Sequence, residues 1–168
     1  SAGDYDKSLS LFQKVMQDFP TSTIYNKARL KLAMSHLKLG NIQDSIQILK
    51  SMSSGAVGEE EKIKIHLLLG KNYEELSKNL VAISWYIRAM NISDNEESIE
   101  KIRDEVKRVI NVHFSKNELL EVIYLYGSQF PSGYAEFKLA KVYFIEKELN
   151  GASLILVRML NGHPEHEY

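Results

Sequence analysis

The sequence predicts an all-α fold built from stacked helix pairs, and two observations carry this prediction. First, apolar residues recur at spacings of three and four along the chain, whereas the alternation typical of strands never persists. Second, a small residue followed four positions later by a bulky one returns at a nearly fixed period. The small positions are Ser8, Ser45, Ala82 and Ala152, with Leu119 as the exception, at intervals of 37, 37, 37 and 33 residues. Such a period indicates repeats that stack on their neighbours.

Nine antiparallel helices follow from this periodicity and from the residues that start and stop helices. Pro20 breaks the first helix and Ser22 starts the second, while Gly40 is expected to end the second in a left-handed turn. The later helices begin at Asp94 with Glu97, at Ser115 with Glu118, both resembling capping boxes, and at Ser132. The predicted helices cover about residues 4–18, 23–39, 42–52, 59–76, 79–91, 95–114, 115–130, 134–147 and 150–161.

The repeats divide the chain into one repeat domain over residues 1–168. We expect a half repeat at 3–20 and four full repeats at 21–57, 58–94, 95–131 and 132–168. Because the chain opens inside a repeat, we expect it to be a fragment of a longer protein.

Composition excludes several classes of function. The net charge of −1 provides no field that would attract nucleic acid. No apolar run reaches the roughly 18 residues of a membrane span. The absence of cysteine excludes disulfides and thiolate metal sites. No Gly-rich phosphate loop and no nucleophile elbow is present, so no enzyme, cofactor or metal is predicted.

Histidine offers the remaining candidates for chemistry. His36 and His66 fall at repeat positions where an aromatic side chain usually packs, so we expect both in or near the core. His163 and His166 could supply only two metal ligands, which makes a poor site.

The repeat unit resembles the tetratricopeptide repeat (TPR). The copy that carries the resemblance best reads His66-x2-Leu69-Gly70-x2-Tyr73, followed by Ala82-x3-Tyr86. The resemblance implies a right-handed α-α superhelix that serves as a protein-binding module. It also implies that a small residue on each first helix faces a small one on the second, as in the pairs Ala33–Ser45, Gly70–Ala82 and Ala140–Ala152.

The fourth repeat departs from this pattern. Lys107 and Leu119 occupy its two small positions. Neither fits a close approach of two helices, so we expect a shifted or splayed helix pair there.

The concave face of this superfamily is lined by the first helix of each repeat, and it is the predicted binding site. That face carries seven basic residues, which are Lys38 and the six basic residues among the candidates below, and three acidic ones, Glu74, Glu75 and Asp104. The excess of basic residues predicts a protein or peptide partner whose bound segment bears acids. The candidate residues are Lys27, Leu30, Met34, Lys64, Leu67, Lys71, Lys101, Arg108, Tyr134, Phe137, Lys141 and Phe144.

The first and last predicted helices indicate a second kind of partner. The last helix is apolar nearly all round, and the first lacks a partner helix. They are expected to contact further repeats, another domain or a second copy of the chain.

Repeats closed by proline, such as Phe19-Pro20-x-Ser22 before a long first helix, are similar to those of bacterial cell-envelope members of the superfamily. Examples are the lipoprotein of the barrel-assembly machinery, the Tol-Pal coordinator and the penicillin-binding-protein activator lipoproteins. This resemblance implies a periplasmic or outer-membrane-attached scaffold. The alternatives are a cytoplasmic adaptor or regulator, and a structural spacer that presents a separate receptor-like domain.

Overall fold

The computed structural model of the protein describes residues 2–20, 22, 24–55, 57–127, 133–162 and 164, with side chains from Lys7 onward. Within these residues the chain forms nine α-helices and no strand, which confirms the all-α class. The helices are α1 (Ala2–Asp18), α2 (Ile24–Lys38), α3 (Ile42–Ser53), α4 (Glu59–Glu75), α5 (Asn79–Ile92), α6 (Glu96–His113), α7 (Lys116–Tyr126), α8 (Tyr134–Ile145) and α9 (Leu149–Gly162). Of the described helices, none is both long and apolar enough to span a membrane.

The helices group into two compact units, Ser1–Asp94 and Asn95–Tyr168. In the first unit each helix packs against the next one along the chain, and α2 also meets α4. In the second unit α8 packs against α7 and α9 and also meets α6. The division of the chain into individual repeats stays a prediction.

The core of the first unit is formed by three successive helices. Ala33 of α2 packs with residues of α3 and with Ile65 and Leu69 of α4, and all of these side chains are almost fully buried. The residues from α3 are Ile46, Leu49 and Met52. Each large side chain buried in this way contributes about 1.5–3 kcal/mol.

Three of the four helix-pair turns share one geometry. Gly40, Ser77 and Lys147 each adopt a positive φ (79°, 55° and 62°), so the left-handed turn predicted at Gly40 is confirmed. In each turn the next backbone N–H donates to the carbonyl five residues earlier: Asn41 to His36 at 2.9 Å, Lys78 to Tyr73 at 2.8 Å and Glu148 to Tyr143 at 2.9 Å. This hydrogen bond ends a helix sharply and reverses the chain.

The predicted capping box at Ser115 is confirmed, but the cap assigned to Asp94 is wrong. Ser115 and Glu118 each bond the other's backbone N–H at the start of α7. At the start of α6 the cap is Asn95, whose side-chain oxygen accepts from the Ser98 N–H at 2.8 Å. Asn95 lies in extended backbone, as the capping position requires.

The connection between α7 and α8 also differs from the prediction. Helix α7 ends at Tyr126, four residues before the predicted end at Phe130. Gly133, in the left-handed region with φ 82°, precedes α8. Ser132, the predicted cap of α8, lies outside the described residues.

Helices α4 and α5 approach each other closely at Gly70. A Cβ added there would lie 2.4 Å from Cε1 of Tyr86, so the tyrosine ring rests directly on the backbone of α4. The ring is fully buried, and its hydroxyl donates to the carboxylate of Glu74. Ala82 of α5 is fully buried, as expected of a small residue that faces α4, and the three atoms nearest to a Cβ at Gly70 all belong to the Tyr86 ring.

The helix pair α6–α7 is splayed, as expected from Lys107 and Leu119 at its two small positions. The Cα atoms of α6 and α7 almost never approach within 8 Å, whereas those of α4 and α5 or of α8 and α9 do so along much of their length. Leu119 is fully buried, so its side chain occupies space that a small residue would leave to the partner backbone. The turn differs as well, because Phe114 is extended with φ −89° and ψ 125° where the other pairs have a left-handed residue.

Replacing Gly70 should test the contact between α4 and α5. Gly70→Ala is expected to lower the free energy of unfolding by about 1–3 kcal/mol, because the new methyl group would displace a buried ring. Gly162→Ala is the control, since a Cβ there meets no atom within 4 Å. Urea unfolding followed by circular dichroism measures both. Equal stability of the two variants would contradict the contact.

Candidate binding groove

A groove of about 800 Å³ lies between α2 and α4 in the first unit. Its α2 wall follows one helical stripe, because Lys27 and Met34 each lie three or four positions from Leu30 and Lys31. Its α4 wall is a second such stripe, which begins at the helix start. The lining residues are Lys27, Leu30, Lys31, Met34, Gly58, Glu60, Glu61, Lys64, Leu67, Leu68 and Lys71.

The groove has an apolar floor and a basic rim. Leu30 and Leu68 reach down to the core of the unit, and Met34 and Leu67 are half-buried beside them. The four lysines are exposed and stand along the edges. With two glutamates, the lining carries a net charge of +2, although the whole chain carries −1.

One lysine of the rim already forms an ion pair within α4. Lys64 lies 2.5 Å from the Glu60 carboxylate one turn before it. This hydrogen bond, together with the nearby charge of Lys27, lowers the pKa of Glu60. Lys27, Lys31 and Lys71 form no ion pair with the part of the chain that the structure describes. Three ammonium groups of the rim therefore remain accessible to a ligand.

Six predicted site residues thus lie on one surface. They are Lys27, Leu30, Met34, Lys64, Leu67 and Lys71. Lys31 and Leu68 also line the groove and were not predicted, although each lies four positions after a predicted residue, at Lys27 and Lys64, and so shares its helix face. Glu60 and Glu61 were not predicted either. The role of the six predicted residues in binding stays a prediction.

The predicted residues of α8 lie in the second unit and form a different surface. Phe137, Lys141 and Phe144 line a hollow of about 200 Å³ between α8 and α9. The Lys141 ammonium lies 5.4 Å from the centre of the Phe137 ring. Tyr134 is directed instead to α6, where its hydroxyl accepts from the Asn111 side chain.

The predicted basic residues of α6 are neutralised on their own helix. Lys101 lies 2.6 Å from Glu97, and the guanidinium of Arg108 makes two contacts of 3.1 Å with Glu105. The hydrogen bond from Lys101 also lowers the pKa of Glu97. These residues therefore present paired charges rather than a free basic patch.

The histidine positions differ in burial. His66 is buried in the first unit, with its ring centre 5.2 Å from that of Trp85 and its Nε2 3.3 Å from Ser53 Oγ. His36 is half-buried, 3.9 Å from Asp44. His163 and His166 lie outside the described residues. Among the residues that are described, no cluster of three or more His, Asp or Glu could hold a metal ion.

The burial of His66 predicts a dependence of stability on pH. Burial lowers the pKa of His66, and the charges of Arg88 and Lys62 act in the same direction. The unfolded chain therefore binds the proton more readily, so the free energy of unfolding is greatest above the ordinary pKa of about 6.5 and decreases as the pH falls below it. Urea titrations at about pH 7.5 and pH 5.5 should show this loss.

His66→Gln should remove most of that loss, whereas the exposed His113→Gln should retain it. A pH dependence that is identical in His66→Gln and the wild type would assign the effect to other groups.

Comparison with known families finds one match. Residues 1–61, which contain α1 to α3 and the first residues of α4, match the family model of the tetratricopeptide repeat. No match was found among curated proteins. The match and the described helix pairs together support a TPR-like solenoid, a fold that generally mediates protein–protein interaction and is typically a non-enzymatic scaffold. In sequence over residues 1–61, and in fold over its described helices, the chain is similar to the tetratricopeptide-repeat proteins.

Proposed function

We propose that the protein is an interaction scaffold whose α2–α4 groove binds a partner segment that combines acidic and apolar side chains. The observation that carries the proposal is the arrangement of four exposed lysines around an apolar floor. The floor provides area for apolar side chains, and the rim provides charges that select for acids.

The length of the groove limits the size of the segment. The α4 stripe runs from Glu60 to Lys71, which corresponds to about 16 Å of helix at 1.5 Å per residue. An extended chain covers that distance with about five residues. A short linear segment of a partner therefore suffices to fill the groove.

The charges of the rim are exposed, so each contributes modestly. An exposed ion pair adds about 0.2–1 kcal/mol, and salt screens it. Three unpaired lysines acting together can still change affinity by about tenfold or more. Affinity should therefore fall as the salt concentration rises.

A charge reversal tests the groove directly. The probe is a fluorescein-labelled synthetic peptide of alternating glutamate and leucine, and binding is followed by fluorescence anisotropy. The triple variant Lys27→Glu, Lys31→Glu, Lys71→Glu should bind it at least about tenfold more weakly than the wild type, because attraction becomes repulsion.

The matched control reverses three exposed lysines that do not line the groove, in the variant Lys7→Glu, Lys14→Glu, Lys78→Glu. It carries the same net charge and should bind like the wild type. Equal affinities of the two triple variants, or equal binding of a lysine–leucine peptide, would contradict the proposal.

The proposal extends to the compartment: a scaffold region of a bacterial cell-envelope lipoprotein, periplasmic or attached to the outer membrane. The Phe19-Pro20-x-Ser22 segment and the long first helices resemble those of envelope members of the superfamily, and this resemblance supports the proposed compartment. A sequence of 168 residues with no cysteine also fits a periplasmic protein. Fractionation of cells that produce the full-length protein should place it in the envelope. Recovery in the cytoplasm would favour an adaptor of that compartment.

A further inference from the structure

In the second unit, a lysine joins the start of α7 to the turn between α8 and α9. The Lys116 ammonium lies 2.6 Å from the Glu146 carboxylate and 3.0 Å from the Glu148 carboxylate. It also lies 4.1 Å from the centre of the Tyr143 ring, within reach of a cation–π interaction. The hydrogen bonds to Glu146 and Glu148 raise the pKa of Lys116, so its side chain keeps its charge.

The groups that surround the ammonium belong to one well-defined turn. Glu146 and Glu148 flank Lys147, whose positive φ of 62° reverses the chain. The Glu148 N–H donates to the Tyr143 carbonyl at 2.9 Å. The Tyr143 ring also packs on α9, since a Cβ at Gly151 would lie 2.9 Å from its Cδ1. Lys116 therefore ties α7 to both α8 and α9.

The equivalent positions of the first unit are apolar. Ile42 and Lys116 are the first residues of α3 and α7. Leu76 and Glu146 directly follow α4 and α8, just before the left-handed residue of each turn. Ile42 and Leu76 both pack against the core of the first unit. The positions that hold α3 by apolar packing thus carry an ion pair at α7.

The position of Lys116 within α7 is unfavourable for a cation. The first turn of a helix is the positive end of its dipole, so a lysine there destabilises the helix. Lys64, Lys101 and Arg108, by contrast, each pair with an acid one turn away on their own helix. The structural reason for a lysine at the start of α7 is therefore its contact with the α8–α9 turn.

Helix α7 has few other attachments within its unit. Helix α3 packs along both α2 and α4, whereas α7 packs along α8 and almost nowhere approaches α6 within 8 Å. Three large side chains of α7 are exposed, namely Leu120, Tyr124 and Leu125. Segments with few buried contacts open locally at a lower free energy than the rest of a protein. The contacts of Lys116 therefore matter more to α7 than a surface ion pair usually would.

We infer that Lys116 is an ionic latch, and that α7 opens from α8 as one segment when this latch is released. Opening exposes Leu119, Val122 and Ile123, which are the buried side chains of α7. Salt screens the attraction between charges, so it weakens the latch. The attachment of α7 is therefore sensitive to ionic strength, whereas the apolar attachment of α3 is not.

Hydrogen exchange of the full 168-residue chain, read by mass spectrometry of peptic fragments, tests the latch. In the wild type the amides of α7 should exchange faster than those of α8 and α9. Raising the KCl concentration from about 0.05 M to about 0.5 M should accelerate α7 severalfold. Lys116→Met, which removes the charge, should accelerate α7 at least about fivefold at low salt and abolish most of the salt dependence.

Two further variants sharpen the test. Lys101→Met removes the charge from an ion pair within α6 and should leave the exchange of α7 unchanged. The double variant Lys116→Ile, Glu146→Leu copies the apolar residues of the first unit. It should hold α7 more tightly than Lys116→Met does, without dependence on salt. Circular dichroism should show that all three variants fold.

Three outcomes would overturn the inference. The first is that α7 of the wild type exchanges in step with α8 and α9, because the helices would then open together. The second is that α7 exchanges equally fast in Lys116→Met and Lys101→Met. The third is that Lys116→Met accelerates α7, α8 and α9 by the same factor, because the lysine would then stabilise the whole unit. None of them bears on the α2–α4 groove, whose lysines the variants leave intact.

Discussion

The packing of α4 against its neighbours is the constraint on which the first unit depends. On one side Gly70 lets the ring of Tyr86 rest on its backbone, which holds α5 close. On another side of α4, Ile65 and Leu69 complete the core with residues of α2 and α3. Since these two contacts fix the rotation of α4 about its axis, they also determine that Lys64 and its neighbours on the stripe face α2 across the groove. The α4 wall of the groove is thus a consequence of how the other faces of the helix are packed.

Most features set by local sequence were predictable. The presence of the helices, the turn at Gly40 and the capping box at Ser115 depend on residues within one or two turns of each other, and they are confirmed. The cap assigned to Asp94 and the end of α7 at Phe130 were wrong. The six residues that line the groove were predicted from the resemblance to the repeat family, and helical periodicity places those of each helix on one face. The acids that pair with the basic residues of α6 lie three and four positions before them on the same helix, so the sequence contained this signal, but it was not recognised. Periodicity could not show that the ring of Tyr86 would lie against Gly70 of the paired helix, because that contact joins two helices.

The splayed pair α6–α7 shows how two local changes reinforce each other. Leu119 is too large to let α6 approach α7 closely, and its full burial shows that the wider space is filled. The extended Phe114 removes the left-handed turn that joins the other pairs tightly. A tight turn would bring together two helices that their side chains hold apart. The large residue at position 119 and the extended turn at Phe114 are therefore compatible with each other. The sequence signal at Leu119 predicted the separation, whereas the altered turn had no separate signal that was recognised.

The helix pairs α2–α3 and α8–α9 are related by a shift of 107 positions in the sequence, and their exposed faces differ in chemistry. The buried Ala33 corresponds to Ala140, which is also buried. The groove residues Lys27, Leu30 and Met34 correspond to Tyr134, Phe137 and Lys141. Buried residues must fit a close-packed interior, where a change of even one methylene is felt. The groove residues are less tightly enclosed, so they can differ more between helix pairs, and this variation supports the proposed role of the α2–α4 groove in selecting a partner.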